Sequence, residues 1–134
     1  MQNHFNPSTG EHTKTLVPID HGLTIPDSLA IQSFDLAWLD FPQAEKPFSK
    51  RTLDYIRRLN VDDDIRLIES NFKVRPECLR NMKISSLLLK KATSKGLTLS
   101  QIGQIMCRPD DDEEAPSLLE NIVSKAQLCA NLRL

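Results

Sequence analysis

A short apolar run that is stopped by an acid and a glycine constrains this chain more than any other feature. Residues 14–22 read KTLVPIDHG, and the apolar part up to Ile19 has the composition of a short buried strand. The break directly after Ile19 would hold the Asp20 carboxylate at the end of the strand, facing a cleft. This placement suits an acid that holds a metal ion. A plain turn, in which Gly22 supplies a positive φ, is the other interpretation of the triplet.

Size and charge exclude several classes of protein. A chain of 134 residues can bury one core and is too short for two ordinary domains. Its 17 basic and 18 acidic residues give a net charge of −1, so no electrostatic argument favours nucleic-acid binding. No apolar run approaches the ~20 residues of a membrane span. The first residues lack the pattern of a secretory signal, which favours a cytoplasmic protein.

The three cysteines, Cys78, Cys107 and Cys129, are too few and too widely spaced for a disulfide framework or a zinc site. We expect each of them to be a small buried apolar residue of a helix.

The first 14 residues differ in composition from the rest. They are polar, contain Pro7 and Gly10 and show no periodicity, which predicts a disordered lead-in over residues 1–14. His4 and His12 have no third ligand nearby, so the sequence does not predict a metal site there. Residues 15–134 are then the single folded domain.

Helical signals dominate after residue 48. Ser49 is a predicted N-cap, the acids at 62–64 suit the positive end of a helix dipole better than a calcium loop, and residues 98–101 (TLSQ) have the form of a capping box. Pro76 and Gly96 bound a long predicted helix, and Pro116 begins the last one. The last helix carries one apolar stripe that we expect to lie on the core, although such a stripe is also able to dock a partner. Trp38 and Phe41 are predicted to anchor their segment to the helices, with contact to a bilayer interface as the alternative.

Several separated motifs resemble one family when they are taken together. They are residues 16–23 (LVPIDHGL), 25–27 (IPD), 38–44 (WLDFPQA), 47–49 (PFS), 53–56 (LDYI), 75–80 (RPECLR), 87–90 (LLLK) and 96–103 (GLTLSQIG) followed by 106–108 (MCR). In order and spacing they resemble the second half of the catalytic domain of phosphatidylinositol 3-/4-kinases, nearest the phosphatidylinositol 4-kinase gamma group. The resemblance runs from about Thr15 to about Ala130.

The resemblance implies a fold, a reaction and a site. The fold would be mainly α, the large C-terminal lobe of a protein-kinase-like domain with a short β element at the metal-binding motif. The reaction would transfer the γ-phosphoryl of ATP to phosphatidylinositol, or to a protein serine or threonine, at the surface of a membrane. Asp20 would bind Mg²⁺ as the catalytic and cofactor-binding acid, because a transferred phosphoryl group needs its charge neutralised. Ile19 would line the adenine pocket.

The resemblance also shows what these 134 residues lack. Neither a glycine-rich phosphate loop with its lysine nor a catalytic loop of Asp-Arg followed by Asn precedes Asp20. We therefore expect a partial catalytic domain without kinase activity on its own, with an apolar face that a protein partner would cover in place of the small lobe. The alternative hypothesis is a truncated, non-catalytic helical interaction module. No basic residue occurs from Gly22 to Glu45, which favours phosphatidylinositol itself or a non-lipid acceptor over a more highly charged lipid.

Overall fold

A two-stranded hairpin and a set of packed helices make up the structure, a computed structural model that describes residues 2–7, 9–15 and 24–131. The predicted mainly helical fold is confirmed. The elements are β1 (Gln2–Asn6), β2 (Glu11–Thr15), a 3₁₀ segment (Ser33–Asp40), α1 (Lys50–Arg58), α2 (Val61–Asn71), α3 (Pro76–Ser94), α4 (Leu99–Met106) and α5 (Leu118–Asn131).

Helix α3 is the centre of the packing. It contacts α1, α2 and α4, while α4 also packs on the 3₁₀ segment and on α5. The core is drawn mainly from the apolar faces of the α-helices, with Ala44 added from the loop before α1. Its most buried apolar members are Ala44, Ile56, Val61, Cys78, Leu79, Ala92, Ile102 and Leu119.

Local capping fixes where the first and fourth helices begin. The Ser49 hydroxyl accepts a hydrogen bond from the Thr52 backbone N–H at 3.1 Å. Thr98 and Gln101 form the predicted capping box, in which the Gln101 N–H donates to Thr98 Oγ1 at 3.3 Å and the Thr98 N–H donates to Gln101 Oε1 at 2.9 Å. Each pair satisfies N–H groups that a helix start leaves without intrahelical partners, so both predicted caps are confirmed.

The acidic run at 62–64 lies in the first turn of α2, as predicted. Asn60 is the N-cap and accepts from the Asp63 N–H at 3.4 Å. Asp62 receives a hydrogen bond from Lys83 of α3 at 2.6 Å, and this bond holds the pKa of the Asp62 carboxyl below its usual value. The acids thus stabilise a helix start and join α2 to α3.

The last helix begins two residues later than predicted. It starts at Leu118 instead of Pro116, because Ser117 and Glu120 form a second reciprocal cap. The Glu120 N–H donates to Ser117 Oγ at 3.2 Å, and the Ser117 N–H donates to Glu120 Oε2 at 2.8 Å. The pattern Ser-x-x-Glu is a capping-box signature and was available in the sequence.

The prediction of a disordered lead-in over residues 1–14 was wrong for its described part. Strands β1 and β2 pair antiparallel, with Gln2 opposite Thr15 and Asn6 opposite Glu11. Gly10 lies in the connecting turn at a φ of +69°, a backbone conformation that glycine adopts at little cost. The hairpin forms through its turn residues and its backbone hydrogen bonds. Its strands do not alternate apolar and polar residues, which is the pattern on which the prediction depended.

Two other expectations about burial were wrong in part. The apolar stripe of α5 is buried only at Leu119, whereas Leu118 and Ile122 are 56% and 51% exposed. Of the three cysteines Cys78 is buried, Cys107 is half-buried and Cys129 is exposed. Burial of that stripe depends on the surfaces that α5 meets, and the described part of α5 contacts α4 alone among the other elements.

Candidate functional site

The two residues predicted to bind nucleotide and metal, Ile19 and Asp20, lie outside the described residues. Strand β2 ends at Thr15, and the described chain resumes at Thr24. The nearest described part of the chain is the segment that follows the Asp20-His21-Gly22 triplet. We call residues 24–40 the anchored segment, because three separate contacts hold it against the helices.

The first contact joins the anchored segment to α3. The Asn81 side-chain Nδ2 donates to the Pro26 carbonyl oxygen at 3.2 Å. One residue further along, Asp27 forms an ion pair of 2.6 Å with Arg75 at the start of α3. The ion pair is exposed and contributes little to stability, whereas Asn81 is almost completely buried. Asn81 is thus the main polar link between this segment and α3.

Asn81 also faces a small cavity. A space of about 150 Å³ lies between α3 and the anchored segment, lined by Asn81, Met82, Ser85 and residues on either side of Pro26. Asn81 Oδ1 has no hydrogen-bond partner in the described part of the protein. A cavity of this size has room for ordered water, which would satisfy this acceptor.

The second contact joins the anchored segment to the end of α4. Ile31 forms a parallel bridge with Cys107, and the Arg108 N–H donates to the Ile31 carbonyl at 2.9 Å.

The third contact is a close approach of side chains to Gly103 of α4. A Cβ atom added at Gly103 would overlap Leu39 Cδ2 and come within 2.9 Å of Trp38 Cη2. Trp38 is therefore an anchor, as predicted, while Phe41 is 57% exposed and is not one.

Arg108 connects the anchored segment to the start of α5. Its Nε and Nη2 atoms donate to the two carboxylate oxygens of Glu120 at 3.0 and 2.8 Å, and its Nη1 donates to the Glu113 carbonyl at 3.0 Å. Both charged side chains are largely buried, with 21% and 17% of their surface exposed. The hydrogen bonds from Arg108 lower the pKa of the Glu120 carboxyl, and those to Glu120 raise the pKa of Arg108.

An open groove of about 920 Å³ runs between the 3₁₀ segment, the end of α4 and the start of α5. Its lining is mixed, with Asp40, Glu45 and Asp110 as acids, Arg108 as the base, and Phe34 and Leu118 as apolar members. Ser33 closes one side through a hydrogen bond of 2.5 Å to Asp110. Cys107 also borders the groove, and burial there raises the pKa of its thiol, which makes it a weaker nucleophile at neutral pH.

Metal-binding groups are not clustered in the described ranges. Within residues 2–7, 9–15 and 24–131, no three His, Cys, Asp or Glu side chains come together in a way that could hold a metal ion. None of the helices in those ranges has the length and apolar content that crossing a bilayer requires.

Comparison with known proteins assigns the sequence of this chain to a family. The family model described as phosphatidylinositol 3- and 4-kinase matches residues 4–102. The chain belongs to this family. The match begins inside the lead-in, so it includes part of β1 and all of β2.

The individual relatives are kinases of the gamma group. Over 113 residues, 84% of this chain, it is 43% identical to phosphatidylinositol 4-kinase gamma 4 of Arabidopsis thaliana. It is 40% identical over 119 residues to phosphatidylinositol 4-kinase gamma 4 of Oryza sativa subsp. japonica, and 36% identical over 131 residues, 96% of this chain, to phosphatidylinositol 4-kinase gamma 8 of Arabidopsis thaliana. These matches span 19%, 20% and 24% of the relatives' own lengths. No solved structure gives a significant match.

Two features of this kinase-family segment were not found from the sequence. Asn81 looked like a polar residue within a helix, and nothing local connects it to Pro26. Arg108 stood in a recognised motif, yet its ion pair with Glu120 became visible only once α4 and α5 were placed. The Ser117 cap that positions Glu120 was the one part of this arrangement with a local signature.

Proposed function

We propose that this chain contributes the C-terminal lobe of a phosphoinositide-kinase catalytic domain, in which Asp20 binds Mg²⁺ and Ile19 lines the adenine pocket. The reaction is transfer of the ATP γ-phosphoryl to a hydroxyl of phosphatidylinositol, or of a protein serine or threonine, once the rest of the catalytic machinery is present. The observation that carries the proposal is the anchored segment, because three contacts, at Pro26, Ile31 and residues 38–39, fix the chain that follows Asp20-His21-Gly22 to α3 and α4.

Fixing that segment matters because phosphoryl transfer depends on positioning and on electrostatic stabilisation. Bound Mg²⁺ neutralises charge on the phosphates, and a carboxylate at the strand end is the group that would hold it. The resemblance to the family assigns the magnesium role to Asp20.

The charge of the anchored segment bears on the acceptor. Between Gly22 and Glu45 there are four acids, three of them in the anchored segment, and no base. A phosphate group on the inositol ring would be repelled by this segment, whereas an unsubstituted inositol ring would not. The acceptor class that fits is therefore phosphatidylinositol itself, with a neutral protein hydroxyl as the second candidate. The enzyme then works as a peripheral protein on the cytoplasmic face of a membrane.

The test is nucleotide binding and transfer with a charge-matched control. An antibody against α5 first establishes the size of the native polypeptide relative to the 15.2 kDa of this chain. In that polypeptide, Asp20→Ala should abolish transfer to phosphatidylinositol, and Asp111→Ala, which removes an equal charge from the exposed acidic loop, should leave it intact. Equal activity of the two variants would refute the role of Asp20. If Mg-ATP does not bind more tightly than about 1 mM, or ~4 kcal/mol, the non-catalytic interaction module is favoured.

A further inference from the structure

The outer side of α1 carries an unusual concentration of positive charge. We define the basic face of α1 as Lys50, Arg51, Tyr55 and Arg58. All four side chains are exposed, and Tyr55 is exposed over 60% of its surface. The opposite side of the helix is apolar, with Ile56 buried where α1 packs on α3. The basic face is therefore presented outward by a helix that is fixed from behind.

The charges of this face are not used by the described fold. The acid of α1, Asp54, is paired with Arg57 at 2.7 Å, and Lys90 of α3 donates to the carbonyls of Arg57 and Leu59 at the end of the helix. Among the described residues, Lys50, Arg51 and Arg58 form no ion pair. They remain available to an external anion.

The position of two of these bases argues against a purely structural role. Basic residues in the last turn of a helix stabilise its dipole, which accounts for Arg57 and Arg58. Lys50 and Arg51 lie in the first turn, where the dipole is positive and no acid is present to compensate. Cations there oppose helix formation, so the fold gains nothing from them.

We propose that the basic face of α1 is a contact surface for the anionic surface of a lipid bilayer. This inference deepens the proposed function, because it names the face that approaches the membrane holding the acceptor. Arginine and lysine are attracted to anionic lipid, and a tyrosine with an apolar ring and a polar tip suits the bilayer interface. The acids of the anchored segment would be repelled by the same surface, whereas α1, which begins ten residues after that segment, carries the opposite charge.

The shape of the face favours a bilayer over an acidic protein segment. The depression on it, about 380 Å³, is lined in the described structure by Arg51, Thr52, Tyr55 and Arg58, all from α1. A lining from one convex helix supplies no second wall to orient a peptide. A planar lipid surface requires no second wall, because binding depends on charge and on how deeply Tyr55 inserts into the bilayer interface.

The experiment is co-sedimentation of the 134-residue chain with phosphatidylcholine vesicles, with and without phosphatidylserine, in the absence of ATP. We expect binding to the anionic vesicles alone, weakened by salt. The variant Arg51→Glu/Arg58→Glu should bind more weakly by at least about 25-fold, since the loss of each base costs about fivefold and the introduced acids add repulsion. Tyr55→Ala should weaken binding at constant charge.

The matched control is Lys73→Glu/Lys125→Glu, which changes net charge equally through exposed lysines that lie outside α1. It should retain most of the binding, and circular dichroism should show all variants folded. Equal loss in both double variants, or no binding of the original chain to anionic vesicles, would overturn the inference. Binding of polyglutamate in preference to vesicles would also overturn it and indicate an acidic protein partner. None of these outcomes depends on nucleotide binding, which tests the proposed function separately.

Discussion

Arg108 and Glu120 form a two-point ion pair that joins the end of α4 to the start of α5, with nitrogen–oxygen distances of 3.0 and 2.8 Å. The same Glu120 caps α5 through Ser117, and the backbone of Arg108 holds Ile31 of the anchored segment. Arg108 and Glu120 together thus couple the last helix to the segment that follows the predicted magnesium motif.

This pair predicts how stability depends on pH. The pKa of Glu120 is held below the usual value of 4.5, first by the hydrogen bonds from Arg108. A depressed pKa in the folded state stabilises the protein above the unfolded pKa, and this stabilisation is lost as pH falls through the folded pKa. We expect Glu120→Gln to lower the urea midpoint at pH 7, and the difference from the original chain to shrink below about pH 4. Glu113→Gln, at an exposed side chain, is the control and should show no such difference at either pH.

Gly103 is predicted to be intolerant of a larger side chain. Valine has a higher helix propensity than glycine, so propensity alone would make Gly103→Val stabilising. The added carbon atoms would instead collide with Leu39 and Trp38, and we expect a loss of about 1–3 kcal/mol in the free energy of unfolding. Urea denaturation measures this loss. Gln104→Val, at the exposed neighbouring position, should cost much less, and a stabilised Gly103→Val would show that the anchored segment does not pack on α4.

Two substitutions of Asn81 are expected to separate the stability cost of a lost hydrogen bond from that of a buried charge. Asn81→Leu removes one hydrogen bond to Pro26. Because Pro26 is an exposed residue that water is able to reach, the loss should cost about 1 kcal/mol. Asn81→Asp introduces an acid at a buried position and removes the donor, and should cost about 3 kcal/mol or more at pH 7. The penalty of the Asp variant should decrease in acid as the new carboxyl is protonated. Equal penalties at pH 7 would contradict the burial of Asn81.

Kinase activity from residues 1–134 alone is not expected. The glycine-rich loop, its lysine and the catalytic-loop Asp and Asn are not among these residues, and each supplies positioning or charge stabilisation for the transferred phosphoryl. Radiolabelled ATP with phosphatidylinositol and a protein acceptor side by side is the assay. Transfer by the purified chain that disappears in Asp20→Ala would contradict this prediction.

The helix starts at Ser49 and Thr98 were predictable because capping is decided within four residues of chain. Family membership was recognisable for a related reason, since motif identity and spacing are properties of the sequence. By contrast, the hairpin of residues 2–15 was missed, because its polar strands carry no apolar alternation and pair through their backbones.

Short-range chemistry in the sequence therefore determined the mainly helical class, most helix boundaries and the kinase family. Tertiary structure alone decided that Asn81 holds Pro26, that Arg108 holds Ile31 and Glu120, and that Leu118 and Ile122 of α5 remain exposed. The physical reason is that a hydrogen bond between distant residues, and the burial of an apolar stripe, depend on which surfaces meet after the helices pack. Periodicity specifies that a face is apolar, and only packing specifies what covers it.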